Sequence, residues 1–163
     1  MTVTLVLRHL DSPVGRLTIV ASDQGVRAVL WPNDRPNRVP LPPTVAGNHR
    51  VLAQAVDELD AYFGGVLDGF TVAYDLHGTA FQLAVWRALG EISAGTTVTY
   101  GQLAASLDRP TASRAVGAAV GRNPVSIALP CHRVVGSNGS LTGFAGGLAA
   151  KEWLLRHEGA LSA

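Results

Sequence analysis

"TVTYGQLAASLDRPTASRAVGAAVGRNP", residues 97–124, holds two short helix patterns separated by Asp108-Arg109-Pro110. Thr99 followed three residues later by Gln102 is a capping box, each side chain satisfying the other residue's backbone N–H, so a helix opens there and runs through "TYGQLAASL". Pro110 cannot continue it. Thr111 is placed to cap a second helix, "ASRAVGAAV", which Gly121 and the Asn123-Pro124 pair bring to an end. Two short helices joined by a tight turn have the spacing of a helix-turn-helix. The second is lined by Ala112, Ala115, Gly117, Ala118 and Ala119, with Arg114 as the one long polar side chain near its start. Such a helix offers few groups that read base edges. On DNA it would approach closely without reading much sequence, with Arg114 as the candidate for insertion into a groove or stack. The same pattern also suits a helix buried against its neighbours with Arg114 in solvent.

Upstream, Thr79 and Gln82 form a second capping box, opening a helix whose face is Phe81, Val85, Ala88, Leu89 and Ile92. The texture changes at Leu76-His77-Gly78, which predicts two domains, residues 1–77 and 78–163. In the first, "MTVTLVLRHLDSP" reads as a strand, since Arg8, His9 and Asp11 interrupt its apolar run and no cleavage pattern follows. "GRLTIVASDQGVRAVLW" alternates Leu17, Ile19 and Ala21, turns at Asp23-Gln24-Gly25 and resumes at Val26 and Ala28, a hairpin pattern. "PNDRPNRVPLPP" packs five of the nine prolines into one loop. Leu52, Ala55, Val56, Leu59, Tyr62 and Phe63 then keep helical rhythm up to Gly64-Gly65, and "FTVAYDL" reads as a further strand. This half is a small α/β unit with no evident chemistry.

Of the 163 residues, 47% are hydrophobic and 15% charged, which excludes a disordered chain. No apolar run approaches the roughly 18 residues of a membrane span. A soluble, cytoplasmic protein is expected, with no membrane contact. A single cysteine rules out an internal disulfide and a multi-cysteine zinc site, and the five histidines lack H-x-x-x-H spacing, so no metal is expected. Residues 1–79 carry six Arg against eight Asp/Glu, a balance of −2, while residues 80–163 carry six Arg and one Lys against four Asp/Glu, a balance of +3. Any polyanion partner therefore belongs to the second half.

That cysteine, Cys131, lies in "ALPCHRVVGSNGSLTGF" with His132 beside it. A thiol of ordinary pKa, about 8.5, is only a few per cent thiolate at neutral pH, so a nucleophilic role needs a neighbour that takes the proton. In a strand His132 would point the other way, whereas a turn at Pro130 brings the pair together. In "LAAKEWLLRHEG", Leu148, Leu154 and Leu155 mark the packed side of the last helix, Gly159 stops it, and Glu158 falls on the same inward face. A carboxylate there opposes the helix dipole and makes sense if it holds a cation or orients a histidine. The residues alone leave Cys131 open as a nucleophile or a buried structural cysteine, and Glu158 as inward-facing or turned to water; a non-enzymatic DNA-binding module and a Cys-His acyl-transfer enzyme unrelated to DNA stand as alternatives.

Taken together, "PCHRV", "SRAVGAAVGRNP", "TVTYGQLA" and "KEWLLRHEG" resemble the O6-alkylguanine-DNA alkyltransferases, densely from Gly78 to Gly159 and loosely over "SPVGRLTIVASDQGVRAVLW". The resemblance implies an α+β chain, with an N-terminal ribonuclease-H-like α/β domain and a C-terminal winged-helix (helix-turn-helix) DNA-binding domain. It implies direct-reversal repair, in which the alkyl group on guanine O6 of double-stranded DNA passes once and irreversibly to Cys131, without a cofactor. His132 would deprotonate Cys131 through a water and Glu158 would orient the imidazole. Tyr100 would donate to guanine N3 and support rotation of the neighbouring phosphate. Arg114 would fill the gap left by the flipped nucleotide, with Tyr100, Thr111 and Ala115 on the DNA face. Asn123 would tie the recognition helix to the cysteine loop, and Val120, Val134, Leu141, Phe144 and Ala145 would form the base pocket. Flipping is required in any case, because O6 lies within the base stack, beyond a fixed thiolate's reach. A monomer in solution is expected, and the resemblance allows cooperative assembly along DNA. The chain departs from the family at Phe144, where relatives usually carry tyrosine, and at Ala145, where some carry serine.

Overall fold

The computed structural model describes residues 4–67 and 69–161. The chain divides into two compact units, Met1–His77 and Gly78–Ala163.

In the first unit, β1 (Leu5–Ser12), β2 (Gly15–Ala21) and β3 (Val26–Leu30) form an antiparallel meander. A short β4 (Thr44–Ala46) pairs parallel to β1, giving the order β3-β2-β1-β4. Helix α1 (Arg50–Phe63) lies against β1, β2 and β3 and buries Leu52, Ala55, Val56, Leu59 and Tyr62. The proline-rich segment is more than a connector. Its Val39 and Leu41 pack against the buried Leu5, Val20 and Ala28 of the sheet. It is braced by the buried Arg38, which reaches Asp34 with Nε at 2.6 Å and Nη2 at 2.8 Å.

"FTVAYDL" does not form the expected strand: only Tyr74 pairs, in an isolated parallel bridge to Val26. The segment passes so close to Gly25 that a Cβ there would lie 2.5 Å from the Tyr74 carbonyl carbon. It is held beyond the bridge by side chains, with Asp75 accepting from Ser22 Oγ at 2.7 Å.

In the second unit, α2 (Ala80–Leu89) and α3 (Tyr100–Ser106) both open with complete capping boxes, Thr79/Gln82 and Thr99/Gln102. Asp108 takes a left-handed φ of 59°, and the Arg109 N–H returns to the Ala104 carbonyl at 3.0 Å, which ends the first helix of the pair. The second, α4 (Ser113–Gly121), is capped at Ala112 without a side-chain bond, so Thr111 is not its cap. The reason is local: the turn closes through the Ala112 N–H on the Arg109 carbonyl at 2.9 Å, which places the cap one residue later. Helix α4 buries Val116, Ala119 and Val120, and Trp86 of α2 donates its indole N–H to the Ala119 carbonyl at 2.8 Å.

A two-residue parallel pairing joins β5 (Val98–Thr99) to β6 (Val134–Val135), Val98 opposite Val134 and Thr99 opposite Val135. The final helix, α5 (Leu148–His157), buries Ala150, Lys151, Leu154 and Leu155. Leu148, expected on the packed side, is 50% exposed, because it opens the helix ahead of the packed stretch that begins at Ala150. Among the described residues no helix is long and apolar enough to cross a membrane.

Candidate active site

Two tight turns aim the cysteine. Ile127 is buried with φ of 74°, and the Ala128 N–H donates to the Ser126 carbonyl at 2.9 Å across it, a γ-turn of the strained hand on a β-branched residue. Pro130, at φ −81° and ψ 69°, then centres an inverse γ-turn closed by the Cys131 N–H on the Leu129 carbonyl at 2.8 Å. From there Cys131–Arg133 forms one turn of 3-10 helix. With about three residues per turn, consecutive side chains no longer oppose one another as they would in a strand. The buried Asn123 braces this approach, donating from Nδ2 to the Leu129 carbonyl at 2.7 Å and accepting the Val125 N–H at 3.1 Å. It touches backbone on both sides.

His132 is fully buried and its Nε2 lies 2.8 Å from Glu158 Oε2. A carboxylate only accepts, so Nε2 carries the hydrogen and Nδ1 presents its lone pair. Nδ1 is buried and makes no hydrogen bond among the described residues. Burial lowers the His132 pKa, and the nearby Arg133 and Lys151 charges act in the same direction, against the hydrogen bond and charge of Glu158. The imidazole is thus a neutral base in one tautomer.

Glu158 caps α5 with its side chain 2% exposed. It also accepts Arg133 Nε at 2.8 Å and Nη2 at 2.9 Å, while Arg133 Nη1 donates to the Ile92 carbonyl. The buried guanidinium offsets the unfavourable placement of an acid at a helix C-terminus. Sequence reasoning missed Arg133, although it stands next to His132 in "PCHRV".

The remaining predicted residues separate into two groups. Tyr100, first in α3, places its hydroxyl 3.1 Å from Thr142 Oγ1, a contact no sequence pattern announced. Tyr100 and Arg114 line a surface cleft of about 380 Å³ with Gly101, Ser113, Gly117 and Ser137. Thr111 and Ala115 are exposed, as are Arg114 and Ala118, so the outward side of α4 is small residues and one arginine. Val120 and Val134 are buried in the core, whereas Leu141, Phe144 and Ala145 are half-buried on the segment before α5. Lys151, which the sequence reading passed over, is 1% exposed, with Nζ 2.7 Å from the Val134 carbonyl and 5.8 Å from the centre of the Phe144 ring.

Both units of the chain match known proteins. Residues 5–76 match the family model of the 6-O-methylguanine DNA methyltransferase ribonuclease-like domain, and residues 80–160 match that of the DNA-binding domain of the same family. The chain is 46% identical over 168 residues to the methylated-DNA–protein-cysteine methyltransferase of Salmonella typhimurium, covering 96% of this chain and 97% of that one. It is 43% identical over 149 residues to that of Methanosarcina acetivorans, covering 91% and 95%. Among solved structures, Mycobacterium tuberculosis OGT in complex with DNA superposes with a TM-score of 0.84 at 39% identity, covering 97% of this chain and 94% of that one. With both of its halves matched in order, a ribonuclease-like unit followed by a DNA-binding unit, the chain belongs to the 6-O-methylguanine DNA methyltransferase family.

Proposed function

We propose that the protein repairs O6-alkylguanine in double-stranded DNA by taking the alkyl group onto Cys131. One observation carries the assignment: beside the cysteine sits a buried imidazole whose Nε2 is held by Glu158 and whose Nδ1 lone pair is unsatisfied. The proton leaves the Cys131 thiol for His132 Nδ1, directly or through one water, and the thiolate attacks the alkyl carbon. The S–C bond forms as the C–O6 bond breaks, and the electron pair passes to guanine. Tyr100 donates its phenolic proton to guanine N3, so that guanine departs neutral; the proton taken up by His132 is released to solvent and the tyrosinate recovers one from it, and Thr142 is placed to steady that hydroxyl. A thioether resists hydrolysis, and each molecule therefore acts once.

Arg114 and the small outward residues of α4 suit a helix that lies close on the duplex and indifferent to sequence, as a lesion of arbitrary position requires. Asn123 positions the cysteine turn, and Leu141, Phe144 and Ala145 edge the base site. Phe144 supplies a ring face without a hydroxyl, leaving polar recognition of the base to backbone groups. The test is intact mass after incubation with duplex DNA containing O6-methylguanine. The expected result is a stoichiometric gain of one methyl group, absent in Cys131→Ser. An unchanged mass with the DNA still methylated overturns the assignment, and multiple turnover would indicate a hydrolase.

A further inference from the structure

The chain has twelve arginines and a single lysine, Lys151. Arginine serves at every other basic position, yet the lone ammonium is 1% exposed, inside the unit that carries the cysteine. Lysine is normally among the residues least often buried, and a buried one needs a reason. Its hydrogen bonds go to two backbone carbonyls, Val134 at 2.7 Å and Thr142 at 3.5 Å, and no carboxylate pairs with it among the described residues. Val134 closes the cysteine turn, its N–H returning to the Cys131 carbonyl. Thr142 is the residue that meets the Tyr100 hydroxyl. The ammonium therefore joins the turn that carries the nucleophile to the segment that meets the tyrosine.

We propose that Lys151 is a positioning residue for transfer: its buried ammonium pins the Val134 and Thr142 carbonyls across the base site and supplies the counter-charge that favours Cys131 as thiolate. The proposal rests on Cys131 being the alkyl acceptor. Arg133, on the cysteine's own turn, is paired with Glu158 at the end of α5, and His132 is bonded to the same carboxylate, whereas Lys151 has backbone carbonyls and no carboxylate as partners among the described residues. Burial lowers its pKa, whereas a Cys131 thiolate would raise it, so the two groups stabilise each other's charged forms. An arginine's planar fork is larger than a compact ammonium and would not fill this place without displacing its neighbours. Lys151 exchanges no proton in the reaction.

Because the lysine is unique, its side-chain nitrogen gives one NMR signal that needs no assignment. The thiolate absorbance of Cys131, taken as the difference from Cys131→Ala, is titrated against pH in the protein and in Lys151→Met. We expect the thiol midpoint to rise by about one pH unit in Lys151→Met. Reciprocally, the lysine signal should titrate at lower pH in Cys131→Ala than in the unaltered protein. The second comparison decides the matter even if Lys151→Met does not fold. An unmoved thiol midpoint in a folded Lys151→Met, or a lysine signal indifferent to loss of the thiol, overturns the proposal. Either result is distinct from failure of the repair reading, which intact mass of the unaltered protein decides.

Discussion

Arg133 grips Glu158 with two nitrogens, Nε at 2.8 Å and Nη2 at 2.9 Å, behind the imidazole that the same carboxylate orients. The pair is almost entirely withdrawn from water, with side-chain exposures of 6% and 2%. Removing one partner leaves an uncompensated buried charge, so Arg133→Met should lose about 3 kcal/mol in urea unfolding. Arg133→Lys keeps the charge and loses the fork, and its stability should fall between the two. Equal stability of all three proteins would mean that the pair does not brace the site.

Stability should decline with acidity in two steps. Burial lowers the His132 pKa below its ordinary 6.5, so between the native and unfolded values the unfolded chain binds a proton that the native one refuses, and stability falls as pH drops through 6.5. Burial by itself would raise the carboxylates Asp34, Asp75 and Glu58. Arg38 with the backbone N–H groups of Trp31 and Arg35 together outweigh it at Asp34, Ser22, His77 and Arg27 together at Asp75, and Gln54, Thr71 and the Thr71 and Val72 N–H groups together at Glu58, and all three end below their ordinary values. Their contribution is present above the ordinary 4.5 for Glu58 and 3.8 for the two aspartates, and is lost as pH falls through the native values. Urea midpoints at closely spaced pH values would resolve both steps, and His132→Gln should erase the upper one alone.

If, as proposed, the Tyr100 phenol acts on the leaving base, Tyr100→Phe should slow methyl transfer about a hundredfold while leaving duplex affinity nearly intact. Thr142→Val removes the hydroxyl that lies 3.1 Å from Tyr100 and should cost less, about tenfold. Single-turnover rates on a methylated duplex measure both, and a Thr142→Val protein slower than Tyr100→Phe would contradict the assigned order.

Asn123→Ala removes both side-chain bonds that brace the approach to Cys131 and leaves buried backbone groups unsatisfied, a loss of about 3 kcal/mol. The outward side of α4 is untouched by this change. Transfer should fall more than binding to an unmodified duplex, as rate and gel-shift measurements together would show.

Much of the local architecture was legible because its causes are local. Both capping boxes need only residues three apart, and the hairpin needs alternation and a turn. The cap at Ala112 escaped notice because a left-handed Asp108 shifts the turn, and backbone handedness at a non-glycine residue leaves little trace in composition. The strand expected at residues 70–76 shrank to a bridge because period-2 alternation says nothing about how closely the segment passes Gly25. At the site, Cys131 and His132 stood out by residue type. Thr142 did not, since its partner is a distant hydroxyl, and Lys151, though the single lysine, gave no sign of its place because backbone carbonyls have no sequence signature.

The pairing of β5 with β6 spans two residues, and the whole helix-turn-helix and the cysteine turn are strung between Thr99 and Val134. A slip of one residue in that short ladder would reverse the facing of Tyr100's neighbour relative to Cys131's turn. A single inserted or deleted residue between Thr99 and Val134 should therefore shift the cysteine turn against Tyr100, a loss expected to match that of a named side chain. Beyond Val135 the exposed run from Ser137 to Ser140 carries no such gauge, and inherited changes in length can collect there.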